Sequence, residues 1–149
     1  MNLLERRRGL LAKLTTEQVT ESTEPLNIFA TTELELNIQD DAYIYATVPI
    51  IKDKTYKLSF DYEYTVVENP ATGYQQVFRV GSYATFQNAQ IFYTGVNAGK
   101  TGTYNGHYEK ELTATANRSV EQSVLYIEST TTALVGTYKL TNTSLVEIK

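Results

Sequence analysis

The chain of 149 residues has no cysteine, no tryptophan, three prolines and a single histidine, His107. Without cysteine there is no disulfide framework, no thiolate metal site and no cysteine nucleophile. Stability must then come from core packing and from partners. One histidine removes most ways of assembling a catalytic base or a multi-histidine metal site, so a non-enzymatic protein without cofactor or metal is expected. No stretch approaches the roughly 20 apolar residues of a membrane span. Near the start, Gly9-Leu10-Leu11-Ala12 is cut short by Lys13, below the roughly 7–15 apolar residues of a secretion signal's core. Neither an export nor a membrane address is expected.

The charge that is present is unevenly placed. Residues 1–14 carry Arg6, Arg7, Arg8 and Lys13 against Glu5, a net of +3, which leaves −7 for the rest of a chain whose formal charge is −4. An acidic body would repel a phosphate backbone and has no second basic cluster, so nucleic acid is not expected as its ligand. Asn2 suits a helix N-cap and Glu5 stands three residues on, the spacing of a capping box. The spacing predicts an amphipathic helix from Leu3, with Leu3, Leu10 and Leu14 on one stripe and Leu4 and Leu11 beside it. Gly9 weakens it by about 1 kcal/mol, and an isolated helix of about 12 residues is marginal in water. The leucines must pack on something, either one end of the protein's own core or a neighbouring subunit. Arg6, Arg7 and Arg8 are then either a solvated face or partners for carboxylates on an acidic neighbour.

Residues 15–32 are polar with little apolar content beyond Pro25-Leu26 and Ile28-Phe29, and read as a linker. From residue 33 the pattern changes to period two, the mark of strands with one buried face. Leu34, Leu36 and Ile38 fall on one side of the first. Asp40-Asp41 reads as a turn, followed by a strand ending near Pro49. In residues 54–67, Tyr56, Leu58, Phe60, Tyr62 and Tyr64 alternate with Thr55, Lys57, Ser59, Asp61 and Glu63, which predicts one face inward and one in solvent. Further alternating stretches begin near residues 74, 89, 107, 123 and 136, and the Gly- and Asn-rich residues 96–106 read as a long loop. Eight or nine strands with no second helical pattern predict an antiparallel β-sandwich over 33–149, preceded by a helix and arm over 1–32.

The order of "TYKLSFDYEY", "GHYEKELTATA", "SVLYIES" and a closing "GTYKLTNTSLVEI" resembles the jelly-roll modules of the carbohydrate-binding type that accompany many glycoside hydrolases. The resemblance spans roughly residues 33–148 and implies a jelly-roll β-sandwich. In that family the final strand commonly carries Asp-Asn, where this chain has Thr141-Asn142. A second resemblance, of style, links the "MNLLERRR" start and the Thr-rich body to virion proteins of tailed bacteriophages, including the crAss-like phages. It implies a virion location, as an auxiliary capsid decoration or head-fibre component, with a tail or baseplate role next. The partners would be other virion proteins, capsid, fibre or tail subunits, or further copies of the chain. Leu3, Leu4, Arg6, Arg7, Arg8, Leu10, Leu11 and Leu14 would form the anchor. The alternative is a carbohydrate-binding module that recognises a glycan through surface tyrosines.

Twelve tyrosines make that alternative concrete. Those at 56, 62 and 64 lie on the inward register. Tyr83, Tyr93, Tyr104 and Tyr108 sit nearest loops or strand ends and are the candidates for glycan contact, and two or three tyrosines exposed in a row on a concave face would discriminate. His107 has no nearby Asp in sequence and reads as a solvated residue. Asp40-Asp41 and Asp53 read as turn formers rather than calcium ligands. Glu109 and Glu111, with Lys110 between them, read as a solvated strand face rather than an opposed pair of catalytic acids.

Overall fold

A computed structural model describes residues 33–38, 43–46 (backbone alone), 48–129 and 133–149. The expected helix and arm, their anchoring residues and the turn at Asp40-Asp41 lie outside the described residues. Eight strands follow in order: β1 (Glu33–Asn37), β2 (Tyr43–Ala46), β3 (Thr55–Glu68), β4 (Gln75–Ser82), β5 (Gln90–Val96), β6 (Gly102–Thr113), β7 (Leu125–Ser129) and β8 (Val135–Glu147). They form two antiparallel four-stranded sheets, β1-β8-β3-β6 and β2-β7-β4-β5. Successive strands change sheet at every step except β4 to β5. This interleaving is that of a jelly-roll β-sandwich.

Alternation decides which side chains meet between the sheets. Leu34, Leu36, Leu58, Phe60, Val66, Tyr138 and Leu140 face inward from one sheet; Phe78, Val80, Leu125 and Ile127 face them from the other, all of them buried. Phe78 stacks on Tyr138 with ring centroids 4.8 Å apart and planes 3° from parallel. The Tyr138 hydroxyl is partnered across the core by Ser129 Oγ at 2.9 Å, as a buried phenol requires. Burial drives its pKa well up, so it stays neutral.

Two departures from the sequence reading shape the outer surfaces. Residues 102–106, expected in a loop, are the start of β6, where Gly102 lies opposite Val66, Thr103 opposite Thr65 and Tyr104 opposite Tyr64. The 14-residue β3 offers a pairing edge along its whole length, and that ladder overrides the weak strand preference of Gly and Asn. The connection shrinks to residues 97–101, where Asn69 Nδ2 donates to the carbonyls of Asn97 and Lys100. The second departure is a bulge in β8: Ser59 lies opposite Ser144 but Asp61 opposite Thr141, so β8 carries an extra residue. Asn142 takes φ +54° there, a left-handed conformation that Asn tolerates better than most residues.

Candidate functional site

The outer face of the β2-β7-β4-β5 sheet is set by the alternation of β4 and β7, whose inward positions are mostly apolar. In β4, Phe78 and Val80 go into the core, which turns Arg79 and Gly81 outward. In β7, Leu125 and Ile127 go in, which turns Tyr126 and Glu128 outward. Register then sets the neighbours. Tyr93 of β5 lies beside Arg79, Arg79 beside Glu128, and Glu128 beside position 43 of β2; in the next row Gly81 lies beside Tyr126, and Tyr126 beside position 45. Arg79 donates from Nε at 3.0 Å and from Nη2 at 2.9 Å to the same Glu128 oxygen, Oε2.

Gly81 has a specific task in this surface. A Cβ on it would sit 2.2 Å from the Tyr126 ring carbon Cζ and 2.3 Å from the hydroxyl oxygen. The Tyr126 ring therefore reaches across the strand into space that only glycine leaves open. Tyr83 packs against that ring, centroids 4.9 Å apart, while its carbonyl accepts from Arg118 Nη2 at 3.0 Å and Thr85 Oγ1 at 3.1 Å. Burial first, then the neighbouring Tyr126 and Glu128, push the Tyr83 hydroxyl up to about 12. At the other end of β4, Tyr74 is raised by burial and then by Tyr64 and Tyr93.

The candidate tyrosines divide cleanly. Tyr83 and Tyr93 are exposed on this face at 38% and 49%; Tyr74, not singled out from the sequence, is 49% exposed just before β4 and lies near both Tyr64 and Tyr93. Tyr104 and Tyr108 turn inward instead. Tyr104 stacks on Tyr64 at 5.2 Å and donates to the Thr101 carbonyl at 2.9 Å. Tyr108 lies against Phe60 at 5.3 Å and Phe92 at 4.7 Å and donates to the Ile91 carbonyl at 3.1 Å. Both belong to β6, Tyr104 near its start beside the 97–101 connection and Tyr108 in its middle. Tyr56 and Tyr64 are buried, and Tyr62 packs against the core, as the alternation predicts. The anchoring residues Leu3, Leu4, Arg6, Arg7, Arg8, Leu10, Leu11 and Leu14 lie outside the described residues.

The opposite outer face, on β8-β3-β6, is polar. His107, read from the sequence as lacking a nearby Asp, has Asp61 directly across the ladder, with Nδ1 to Oδ1 at 2.7 Å. The bulge aims Asn142 Nδ2 at the other Asp61 oxygen, 2.8 Å away. Hydrogen bonds from Asn142 and then His107 hold the Asp61 carboxyl below its usual pKa, and the hydrogen bond to Asp61 raises that of His107. Glu109 lies 3.8 Å from His107 Nε2 and 3.6 Å from Lys57 Nζ, and Lys139 lies 3.5 Å from Glu63. A shallow cleft of about 540 Å³ runs between these rows. Its walls pair their charges with one another, the arrangement of a solvated sheet surface. Asp53 sits at φ +70° in a turn closed by Lys54 N–H to the Ile51 carbonyl at 3.2 Å, the turn role expected of it. Among the described residues no group of three or more His, Asp or Glu side chains is placed to hold a metal ion.

No protein-family model and no curated protein matches the chain. Among solved structures it is similar to a CBM4 structure at 16% identity, over 78% of this chain and 73% of that one, with a TM-score of 0.39. It is similar to a family 16 carbohydrate-binding module-2 at 16% identity, over 76% and 74%, with a TM-score of 0.41. The CBM22-1 xylan-binding domain from Paenibacillus barcinonensis Xyn10C matches at 18% identity, over 77% and 64%, with a TM-score of 0.25.

Proposed function

We propose that this sandwich is a non-catalytic glycan-binding module whose ligand lies on the outer face of the β2-β7-β4-β5 sheet. The observation that carries the reading is the gathering of Tyr83 and Tyr93 on that face, with Tyr74 exposed at its edge, beside the cross-strand Arg79–Glu128 pair. Sugar rings present an apolar C–H face and an edge of hydroxyls. Binding them takes flat aromatic surface together with a few fixed donors and acceptors. Tyrosine supplies the first, while the guanidinium, a pure donor, and the carboxylate, a pure acceptor, supply the second. The eight residues of β4 rise at most about 24 Å at roughly 3.4 Å per residue, a length that suits an extended oligosaccharide rather than a single ring.

The test is an array of neutral plant, fungal and bacterial polysaccharides probed with the parent protein and with Tyr93→Ala. Binding of at least one polysaccharide by the parent, weakened in the variant while the melting temperature holds, supports the reading. A parent inert across the array sinks it.

A further inference from the structure

We infer that Glu128 is the specificity-determining residue of this face, occupying Arg79 so that acidic glycans are refused. The inference rests on the glycan-binding reading and adds which sugars the face rejects. An outward arginine in the middle of an aromatic strip would ordinarily be a receptor for carboxylate or sulfate, because its planar fork matches such groups bidentately. Here both the Nε and the Nη2 of Arg79 are already directed at Glu128 Oε2, at 3.0 and 2.9 Å. The two side chains face each other in register across β4 and β7. They are 35% and 21% exposed, so the pair is partly withdrawn from water and less screened than a free surface pair.

The surroundings reinforce the refusal. Glu128 is close enough to Tyr83 to raise its hydroxyl pKa, so a ligand seated on Tyr83 lies in the field of that carboxylate. A uronate or sulfate entering the row would have to displace Glu128 from Arg79 and leave a part-buried carboxylate without its cation, which is costly. The formal charge of −4 adds a long-range repulsion in the same sense. A neutral sugar needs no such displacement, because hydroxyls can bond to the outward side of both groups while the pair stays closed.

The experiment compares four proteins on polygalacturonate and on the neutral polysaccharide that the parent binds. They are the parent, Glu128→Gln, the double variant Arg79→Gln/Glu128→Gln, and Glu111→Gln. The last makes the same change of net charge on an exposed position of β6 in the other sheet. Thermal melts confirm that each is folded. Glu128→Gln should gain about tenfold or more in affinity for polygalacturonate, the gain should fade with added salt, and it should vanish in the double variant. Glu111→Gln should show no such gain. An unchanged Glu128→Gln, or an equal gain in Glu111→Gln, overturns the role of Glu128 while leaving the glycan reading standing. A parent that prefers polygalacturonate to neutral polymers does the same. A parent that binds neither class sinks the glycan reading, and the specificity role with it.

Discussion

The two outer faces of the sandwich are made by the same alternation and differ in what they do with it. On β8-β3-β6 most outward positions are polar and satisfy one another, Asp61 with His107 and Asn142, Glu63 with Lys139, Glu109 with Lys57, while Val67 and Val146 are exposed near the ends of β3 and β8. On β7-β4-β5 the outward positions carry tyrosines that exceed what folding asks of a surface, with one ion pair among them. The first face spends its polarity on itself; the second leaves aromatic surface in water. Exposed aromatics collected on one face mark an interaction site more strongly than any single exposed residue does.

Phe78→Ala removes the ring stacked on Tyr138 between the sheets and should cost about 3–5 kcal/mol in urea unfolding, abolishing the distinction because both faces lose their support. Gly81→Ala forces the Tyr126 ring aside; a stability loss of about 1–3 kcal/mol is expected, together with weaker glycan binding, since Tyr83 rests on that ring. A melt and a titration that both match the parent would show that the ring is not held by Gly81. Tyr93 is half exposed on the outer face, so the expected result of Tyr93→Ala is an affinity loss of about tenfold with stability changed by less than about 0.5 kcal/mol.

The smallest effect belongs to the polar face. His107 has a raised pKa, so its contribution to stability is present below its ordinary value of about 6.5 and fades as pH rises through the folded value. Asp61 has a lowered pKa, so its contribution is present above the ordinary carboxylate value of about 4 and fades as pH falls through the folded one. The pair is complete between those ordinary values, and its contact with solvent keeps its effect on stability slight. An NMR titration of the chain's single histidine should show a midpoint above about 6.5 that drops in Asp61→Asn. An unmoved midpoint would contradict the cross-strand pair. Glycan affinity should not follow this titration.

Faces were readable from the sequence because a period of two assigns each residue a side. Leu34, Leu36 and Ile38, and the run from Tyr56 to Tyr64, landed as the alternation required. Neighbours were not readable, because pairing is set by which strands lie together. Asp61 and His107 are 46 residues apart, and Arg79 and Glu128 are 49 apart, so neither pair leaves a local trace. A signal for the second did exist: Arg79 interrupts Val77-Phe78 and Val80, and Glu128 follows Leu125-Tyr126-Ile127. A charge inside an otherwise apolar strand marks its outward side. Tyr104 was read into a loop for a related reason, since the glycines and asparagines of residues 96–106 suggested one where the long β3 edge imposes a strand.

The most direct test of the central claim is residue-by-residue mapping of glycan contact by NMR, titrating the 15N-labelled full chain with the neutral oligosaccharide selected on the array. Amide shifts should concentrate at Arg79, Gly81, Tyr83, Tyr93, Tyr126 and Glu128. Shifts centred on Asp61, Glu63, His107 and Lys139 would place the ligand in the polar cleft of the other sheet and contradict that claim.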